Sequence, residues 1–472
     1  MESTHLNSDD EYKWTAYNFH NHTHTPRKLS LGISTLGVNK PYVCCHADGH
    51  LGYGGDSVFR PLVKIVVEKS TVNNNNVHLR FTYNNKYWQK SKDNNNLVAV
   101  SNQPVEDTTD PFCTLFEPRV ASGRVNFIHV HTGLFVQYTY YPNNLYLRED
   151  HGYGNFGMID GDALVKMPNH IALKGDNGMY LKAIERYGAR LQFRSNDATD
   201  KLSAYTVTLM PDGLVRLHSD YFGKFWFMAA SDSGWVYGDF NDDPNFFSTT
   251  IFQPIKIDDN TIALRSTVNN DFCIRYSDDN VSDCLAARAD YIQTSSRMQV
   301  QELVMHRKIY NVVYRMEDAR IYGETPFLAG TTTLTNNKDQ VDTMSVEITY
   351  QDQKSYTFSR GFSLKAGVTA TIETGVPFVA EGKIEVSFEI SGSFQWDTTT
   401  TTMTSVTAQG SVPVPANSTV KVHYVGTRGT CNVPYNYTQQ DQSSTTGEIT
   451  YYDQTDGIYH GVSYYNFDFV VE

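Results

Sequence analysis

The chain has 472 residues, too many for one hydrophobic core, and at roughly 100 to 200 residues per domain it suggests three domains. Its 52 acidic residues against 39 Lys and Arg give a net charge of −13, which argues against nucleic acid as a partner and against electrostatic adhesion to anionic lipid, since phosphate binding needs a basic surface. Thirty-one Tyr, 25 Phe and 32 Gly, with Asn- and Thr-rich connections and no helical stripe longer than a turn or two, favour all-β structure.

The N-terminal residues, Met1 to Asn7, are polar, and no run of 18 apolar residues occurs. The expectation is cytoplasmic synthesis without a signal peptide and later action at a target membrane, with tissue damage as one route to it. On that reading the sequons at Asn21, Asn280, Asn417 and Asn436 stay unmodified. Cysteines 44, 45, 113, 273, 284 and 431 show no repeating spacing, so buried thiols are expected rather than a disulfide framework.

A repeat organises the first 300 residues or so. Val77 to Trp88 aligns without gaps on Val215 to Trp226, an offset of 226 − 88 = 138, and Leu115-Phe116-Glu117-Pro118 matches Ile251-Phe252-Gln253-Pro254 at 252 − 116 = 136. Two tandem homologous domains follow. Within each, one strand-turn-strand phrase recurs, with its third residue at 31, 79, 127, 173, 217 and 264. Ile171 to Leu181 shows the unit: alternating apolar residues, an Asn177-Gly178 turn and an aromatic return strand. Three such units per domain describe a β-trefoil. A six-bladed propeller fits the spacing too, but the match between halves exceeds any match between adjacent units, which favours duplication of a finished domain.

Asn85-Lys86-Tyr87-Trp88, Cys113 to Pro118, Leu173 to Leu181 and Gly223-Lys224-Phe225-Trp226 closely resemble the amaranthin-like agglutinins, which are built from two tandem β-trefoils. The resemblance covers residues 20 to 306 and sets domains at 1–157 and 158–306. It implies glycans with terminal GalNAc or Gal-GalNAc as partners, held in a shallow site where two subunits meet. The family's sugar loop maps onto Ser91 to Leu97 in the first domain and Ser231 to Trp235 in the second. The candidate carbohydrate residues are therefore Asn94, Asn95 and Asn96, with Asp232, Ser233 and Trp235. Amides offer a donor and an acceptor together to sugar hydroxyls, and an aromatic face suits galactose. Asn96 and Leu97 stand where aromatics are expected, so Trp235 marks the better preserved loop; the Asn run also reads as a solvated turn.

Beyond residue 306, Lys383 to Ser391 alternates strictly, mirrored by Ala366 to Glu373, with Val376 to Gly382 as an apolar tip turning back at Gly382. A long amphipathic hairpin of about residues 362–396 is expected, although period 2 alone also fits an ordinary half-buried sheet. With the approach strand Val313 to Arg320 and the return Val412 to Val422, residues 307 to 472 resemble the aerolysin-type pore-forming module. That resemblance implies a monomer that docks on a receptor, forms a homo-oligomer and releases the hairpin into a shared β-barrel. Val376, Phe378, Val379, Ile384, Val386, Phe388 and Ile390 are the expected membrane residues of the hairpin. The expected pore-lumen residues are Glu373, Lys383, Glu385 and Glu389, three negative charges against one positive, which favours cations. Arg360 would mark where the membrane band stops. The Thr398 to Thr402 run reads as a polar strand edge.

His20, His22 and His24 alternate, as do His129 and His131, but neither set has a Cys or carboxylate at ligand spacing, so no metal is expected. Gly54-Gly55 lacks the Gly-Lys-Ser/Thr ending of a phosphate loop, and Glu106-Asp107 reads as surface charge. No enzyme and no cofactor is expected. The alternative to a lectin-guided pore former in plant defence is a non-lytic multivalent lectin whose third domain only oligomerises.

Overall fold

The computed structural model describes residues 27–33 and 42–472, apart from 122–123, 140–141, 151–153, 162–163, 230–233, 279, 362–363 and 365–367. His20, His22 and His24 lie outside the described residues, as do Asp232 and Ser233. The fold is nearly all β, with one four-residue α-helical turn, Arg186–Ala189, among the described residues.

Three units of four strands build the first trefoil. They are β1 (Arg27–Ile33), β2 (Tyr42–Cys45), β3 (Leu51–Gly55) and β4 (Ile65–Lys69); then β5 (Val77–Phe81), β6 (Tyr87–Lys90), β7 (Leu97–Ser101) and β8 (Leu115–Ala121); then β9 (Arg124–His129), β10 (Phe135–Thr139), β11 (Asn144–Arg148) and β12 (Phe156–Asp160). The outer strands of the units pair in turn, β1–β4–β5–β8–β9–β12 and back to β1, closing a six-stranded antiparallel barrel. The inner strands form three hairpins, β2–β3, β6–β7 and β10–β11.

The second trefoil repeats the plan with β13 (His170–Lys174), β14 (Tyr180–Ala183), β15 (Leu191–Ser195), β16 (Tyr205–Leu209), β17 (Val215–Ser219), β18 (Lys224–Met228), β19 (Val236–Phe240), β20 (Phe252–Lys256), β21 (Thr261–Ser266), β22 (Phe272–Tyr276), β23 (Cys284–Ala289) and β24 (Met298–Glu302). Its barrel closes through β13–β16–β17–β20–β21–β24–β13. Closed six-stranded barrels settle the choice between trefoil and propeller. The six repeat positions fall on β1, β5, β9, β13, β17 and β21, the first strand of each unit.

Two details differ from the sequence reading. β12 lies across the expected break at 157/158, and its pairing with β1 and β9 carries the first sheet on to Asp160. The Asn177-Gly178 turn is part of a five-residue loop, because Lys174 pairs with Tyr180 and Gly175 N–H reaches Met179 O at 2.9 Å.

Alternation builds the cores. Val77, Leu79 and Phe81 of β5 enter the first core around fully buried Trp88, and Val215 and Leu217 of β17 enter the second around Trp226. Trp88 meets Phe116 edge-on at 6.2 Å, and Trp226 meets Phe252 at 6.3 Å, so the duplication extends to the ring packing. All six cysteines are buried free thiols.

The C-terminal sheet is made of β25 (Val304–Tyr314), β26 (Arg320–Asn336), β27 (Asp342–Arg360), β28 (Ala370–Ala380), β29 (Lys383–Phe394), β30 (Thr399–Val414), β31 (Ser418–Ser443) and β32 (Ile449–Val471). Its order is β29-β28-β25-β31-β32-β27-β30, with β26 on β31. β31 has 26 residues, about 85 Å of chain at ~3.3 Å per residue. The Thr run at Thr399–Thr402 is exposed on β30, a strand at the end of that order. Two cores stack along the module: an aromatic one with Phe358, Trp396, Tyr435, Tyr437, Tyr459 and Tyr465, and an aliphatic one with Val346, Ile348, Val412, Val414, Val420 and Val422. Rings of β32 lie directly on glycines of neighbouring strands: a Cβ on Gly426 would stand 2.6 Å from the Phe467 ring, so a larger residue there would displace the ring.

The chain divides into two compact units. One runs through Arg307 and takes in 362–368 and 441–450; the other holds 308–361, 369–440 and 451–472. In the first unit, buried Arg307 grips Glu302 and Asp441 at once, each at 2.7 Å, which fixes the returning segment where the second trefoil ends.

Candidate functional site

The expected sugar loops lie at the hairpins that cap each barrel. In the first trefoil, bridges join His50 to Val98 and Asn96 to Tyr146; in the second, Arg190 to Tyr237 and Trp235 to Ala286. The offsets, 235 − 96 = 139 and 286 − 146 = 140, make Asn96 the counterpart of Trp235 and Tyr146 that of Ala286. Leu147 N–H donates to Asn95 O at 2.8 Å, and Ala287 N–H donates to Gly234 O at 2.7 Å in the same way. The Asn94 side-chain oxygen accepts from Asn96 N–H at 2.8 Å and is therefore spent on the turn. Asn95 is exposed and Asn96 half-buried. Asn94 is exposed as well, so of the three amides Asn94 and Asn95 face solvent.

Trp235 does not offer a stacking face. It is 3 % exposed, packed with Val281, Cys284 and Ala286, with the Arg190 guanidinium 4.5 Å from its ring centroid and Tyr276 edge-on at 5.6 Å. The small Ala286 stands opposite it across the bridge, where the first trefoil has Tyr146 opposite Asn96. The aromatics nearer solvent are half-buried Phe227, Tyr237 and Phe240, with Tyr237 stacked on Phe227 at 5.3 Å and Phe240 tilted against Phe227 at 4.9 Å. Sequence reasoning missed them, although the strand Phe225-Trp226-Phe227 carried the signal: one ring turns inward and its neighbours turn out.

The off-core residues of β5 and β17 make a duplicated polar network. His78 Nδ1 meets Thr114 Oγ1 at 2.8 Å and His78 Nε2 meets Glu106 at 3.3 Å; in the second trefoil Arg216 donates to Thr250 Oγ1 at 2.9 Å and to Asp242 at 2.6 Å. Burial opposes ionisation of Glu106, but bonds from Thr71 N–H, the Ser70 hydroxyl, His78 and Val72 N–H outweigh it and bring its carboxyl down to about 2. Glu106 thus fastens a loop, and Asp107 separately caps its own turn through Thr109. His129 Nε2 bonds Cys113 O at 2.9 Å and His131 Nδ1 bonds Thr108 O at 2.9 Å, both main-chain contacts. No group of three or more His, Cys, Asp or Glu is arranged to hold a metal among the described residues.

The hairpin is present as β28 and β29, in register from Ala370↔Phe394 to Ala380↔Lys383. Its turn is Glu381-Gly382, both at positive φ (50° and 76°), a two-residue turn whose twist matches the strands. The expected apolar tip is therefore strand: Val376 to Val379 belong to β28. A bulge between Val376 and Pro377 changes the facing. β28 alternates without interruption, and the extra residue of the bulge is Ser387 on β29, so Ile372, Val376 and Phe378 share one face with Ile390, Glu385 and Lys383, while Glu373, Pro377 and Val379 share the other with Glu389, Val386 and Ile384. The expected split into one apolar and one charged face therefore breaks at Ser387: Lys383 and Glu385 fall on the face of Phe378, and Ile384 and Val386 on that of Glu373 and Glu389.

The apolar side chains of β28 are covered. Ile372, Val376, Phe378 and Val379 lie in the aromatic core, with Ile384 and Ile390 packed against it. Phe378 is 2 % exposed, with Lys354 Nζ 5.4 Å from its ring centroid. Glu373, Lys383, Glu385 and Glu389 are exposed, and Val386 is 51 % exposed. Arg360 sits at the end of β27, over the Trp396 ring at 5.0 Å and bonded to Gln439, and so belongs to the packing of the soluble core.

The Agglutinin domain model matches residues 37–150 and 165–304, more than half of the chain, and the chain belongs to that family. A second model, Clostridium epsilon toxin ETX/Bacillus mosquitocidal toxin MTX2, matches residues 260–468, and its first part overlaps the second agglutinin match. Both families are non-enzymatic. No curated protein is similar enough in sequence to match.

Among solved structures, a mosquitocidal holotoxin is similar at 10% identity over 62% of this chain and 36% of that one, TM-score 0.30. The parasporin-2 toxin of Bacillus thuringiensis, which recognizes cancer cells, is similar at 18% identity over 35% and 71%, TM-score 0.22. The lamprey immune protein is similar at 13% identity over 66% and 93%, TM-score 0.29. The chain thus spans about a third of the mosquitocidal holotoxin's length.

Proposed function

We propose that this protein is a lectin for glycans of the GalNAc or Gal-GalNAc type that carries an aerolysin-like module to glycosylated membranes, oligomerises there and inserts a β-barrel pore. The two family matches support the pairing of a sugar-binding half with a toxin-type half. The observation that carries the pore is the hairpin itself: arms of 11 and 12 residues, joined by a two-residue turn, with the apolar side chains of β28 packed in the core and the charged side chains of both arms in water. A membrane strand needs about 9 to 11 tilted residues, so both arms reach across. A module that served only to oligomerise has no need of a stowed apolar hairpin.

Multivalent docking raises local concentration and so favours ring assembly without any new contact. Glu373, Glu385 and Glu389 against Lys383 give a cation-selective lumen. Defence in a plant, after cytoplasmic synthesis and release by tissue damage, is the role this reading fits.

Conductance in a planar bilayer doped with a GalNAc glycolipid tests it. Discrete steps that vanish with free GalNAc are expected; a silent bilayer at micromolar protein, with glycan binding intact, overturns the pore.

A further inference from the structure

The buried row of β32 reads Tyr459, Gly461, Ser463 and Tyr465, so a serine hydroxyl stands fully buried among aromatic rings. A polar group in such a place costs stability unless it is bonded. Ser463 Oγ accepts from Val379 N–H at 3.1 Å and donates to Val379 O at 3.2 Å. A single hydroxyl therefore satisfies both main-chain groups of one residue of the hairpin. A few residues back along β28, the Tyr314 hydroxyl of β25 donates to Gly375 O at 2.6 Å and lies 3.3 Å from Thr374 Oγ1.

These bonds differ in kind from the ladder inside the hairpin. The register of β28 on β29, from Ala370↔Phe394 to Ala380↔Lys383, travels with the hairpin if it moves, and β29 ends the strand order, paired with β28. Ser463 and Tyr314 stay behind on β32 and β25. We propose that these two side chains are the catch that holds the hairpin in the soluble state and sets its rate of release. The inference rests on the pore reading above for its consequence, but not for its chemistry. β28 also pairs with β25 in the sheet, and the two hydroxyls add to that pairing side-chain bonds that a single substitution removes without touching the main chain.

Amide exchange across residues 370–380 of the full-length protein, without membrane, reads the catch directly, and dye release from GalNAc-glycolipid vesicles reads its consequence. Ser463→Ala and Tyr314→Phe are each expected to speed exchange of that segment about tenfold, with trefoil amides unchanged, and to shorten the lag before dye release. Unchanged exchange in both variants overturns the catch. If Ser463→Ala speeds exchange throughout β31 and β32, the module has unfolded and Tyr314→Phe alone decides. Faster exchange in 370–380 with no dye release from any protein, wild type included, supports the catch and overturns the pore.

Discussion

Val386 offers the cleanest separation of the soluble fold from the membrane state. It is 51 % exposed on β29, and on the tip side of the bulge it shares the face of Ile384 and, across the pair, of Pro377 and Val379. Val386→Arg places a charge in water in the soluble protein, where a surface change is worth about 0.5 kcal/mol or less. In the barrel the same charge meets lipid. Val386 stands four residues past Gly382 in the turn, about 13 Å along the strand and, at a tilt near 45°, about 9 Å inside the tip.

That depth lies between interface and midplane of a core about 30 Å thick, where an Arg costs about 2 kcal/mol per subunit. At about 1.4 kcal/mol per tenfold, permeabilisation should fall by roughly 30-fold, and by more if subunits insert together. The assay is dye release from GalNAc-glycolipid vesicles, with melting temperature and glycan binding measured beside it. Full release by a Val386→Arg protein that binds and melts like wild type would refute the placement of this face in lipid.

Other outcomes follow from the same contacts. The Glu106 carboxyl lies at about 2 in the folded state against an ordinary 4.5, so its stabilisation is complete above about pH 5 and drains away as pH falls from 4.5 towards 2. Glu106→Gln should therefore cost about 3 kcal/mol at pH 7 and little near pH 2, read by denaturant titration; an equal cost at both pH values counts against the charge. Glu385→Lys leaves two carboxylates and two ammoniums on the lumen face, so reversal potentials should lose their cation preference while conductance persists. Asn95→Ala should weaken GalNAc-glycan binding about tenfold at unchanged stability. Trp235→Ala should instead lower stability by about 3 to 5 kcal/mol, because it empties a buried site.

The trefoils were legible because a repeat reports architecture twice: the positions 31, 79, 127, 173, 217 and 264 each landed on the strand that opens a unit. The hairpin's existence was legible from strict alternation, and its turn from Gly382. Its facing near the tip was not, since the bulge at Ser387 leaves composition unchanged, and Lys383 to Ser391 reads as strict alternation with or without one. Trp235 misled for a related reason. Sequence shows that an aromatic occurs at a loop, but whether the ring stacks outward or folds inward is set by its packing, here with Val281, Cys284 and Ala286, some fifty positions away. The Ser463 bond to Val379 is likewise a long-range contact between residues that look ordinary alone.

The central claim is that sugar binding and pore formation belong to one event. Dye release from liposomes with and without a GalNAc glycolipid, across a series of protein concentrations and with free GalNAc as competitor, measures it directly. The account predicts release that requires the glycolipid and is blocked by the free sugar. Binding to the glycolipid vesicles without release, even after limited proteolysis, would contradict it and leave a multivalent lectin whose hairpin stays in its core.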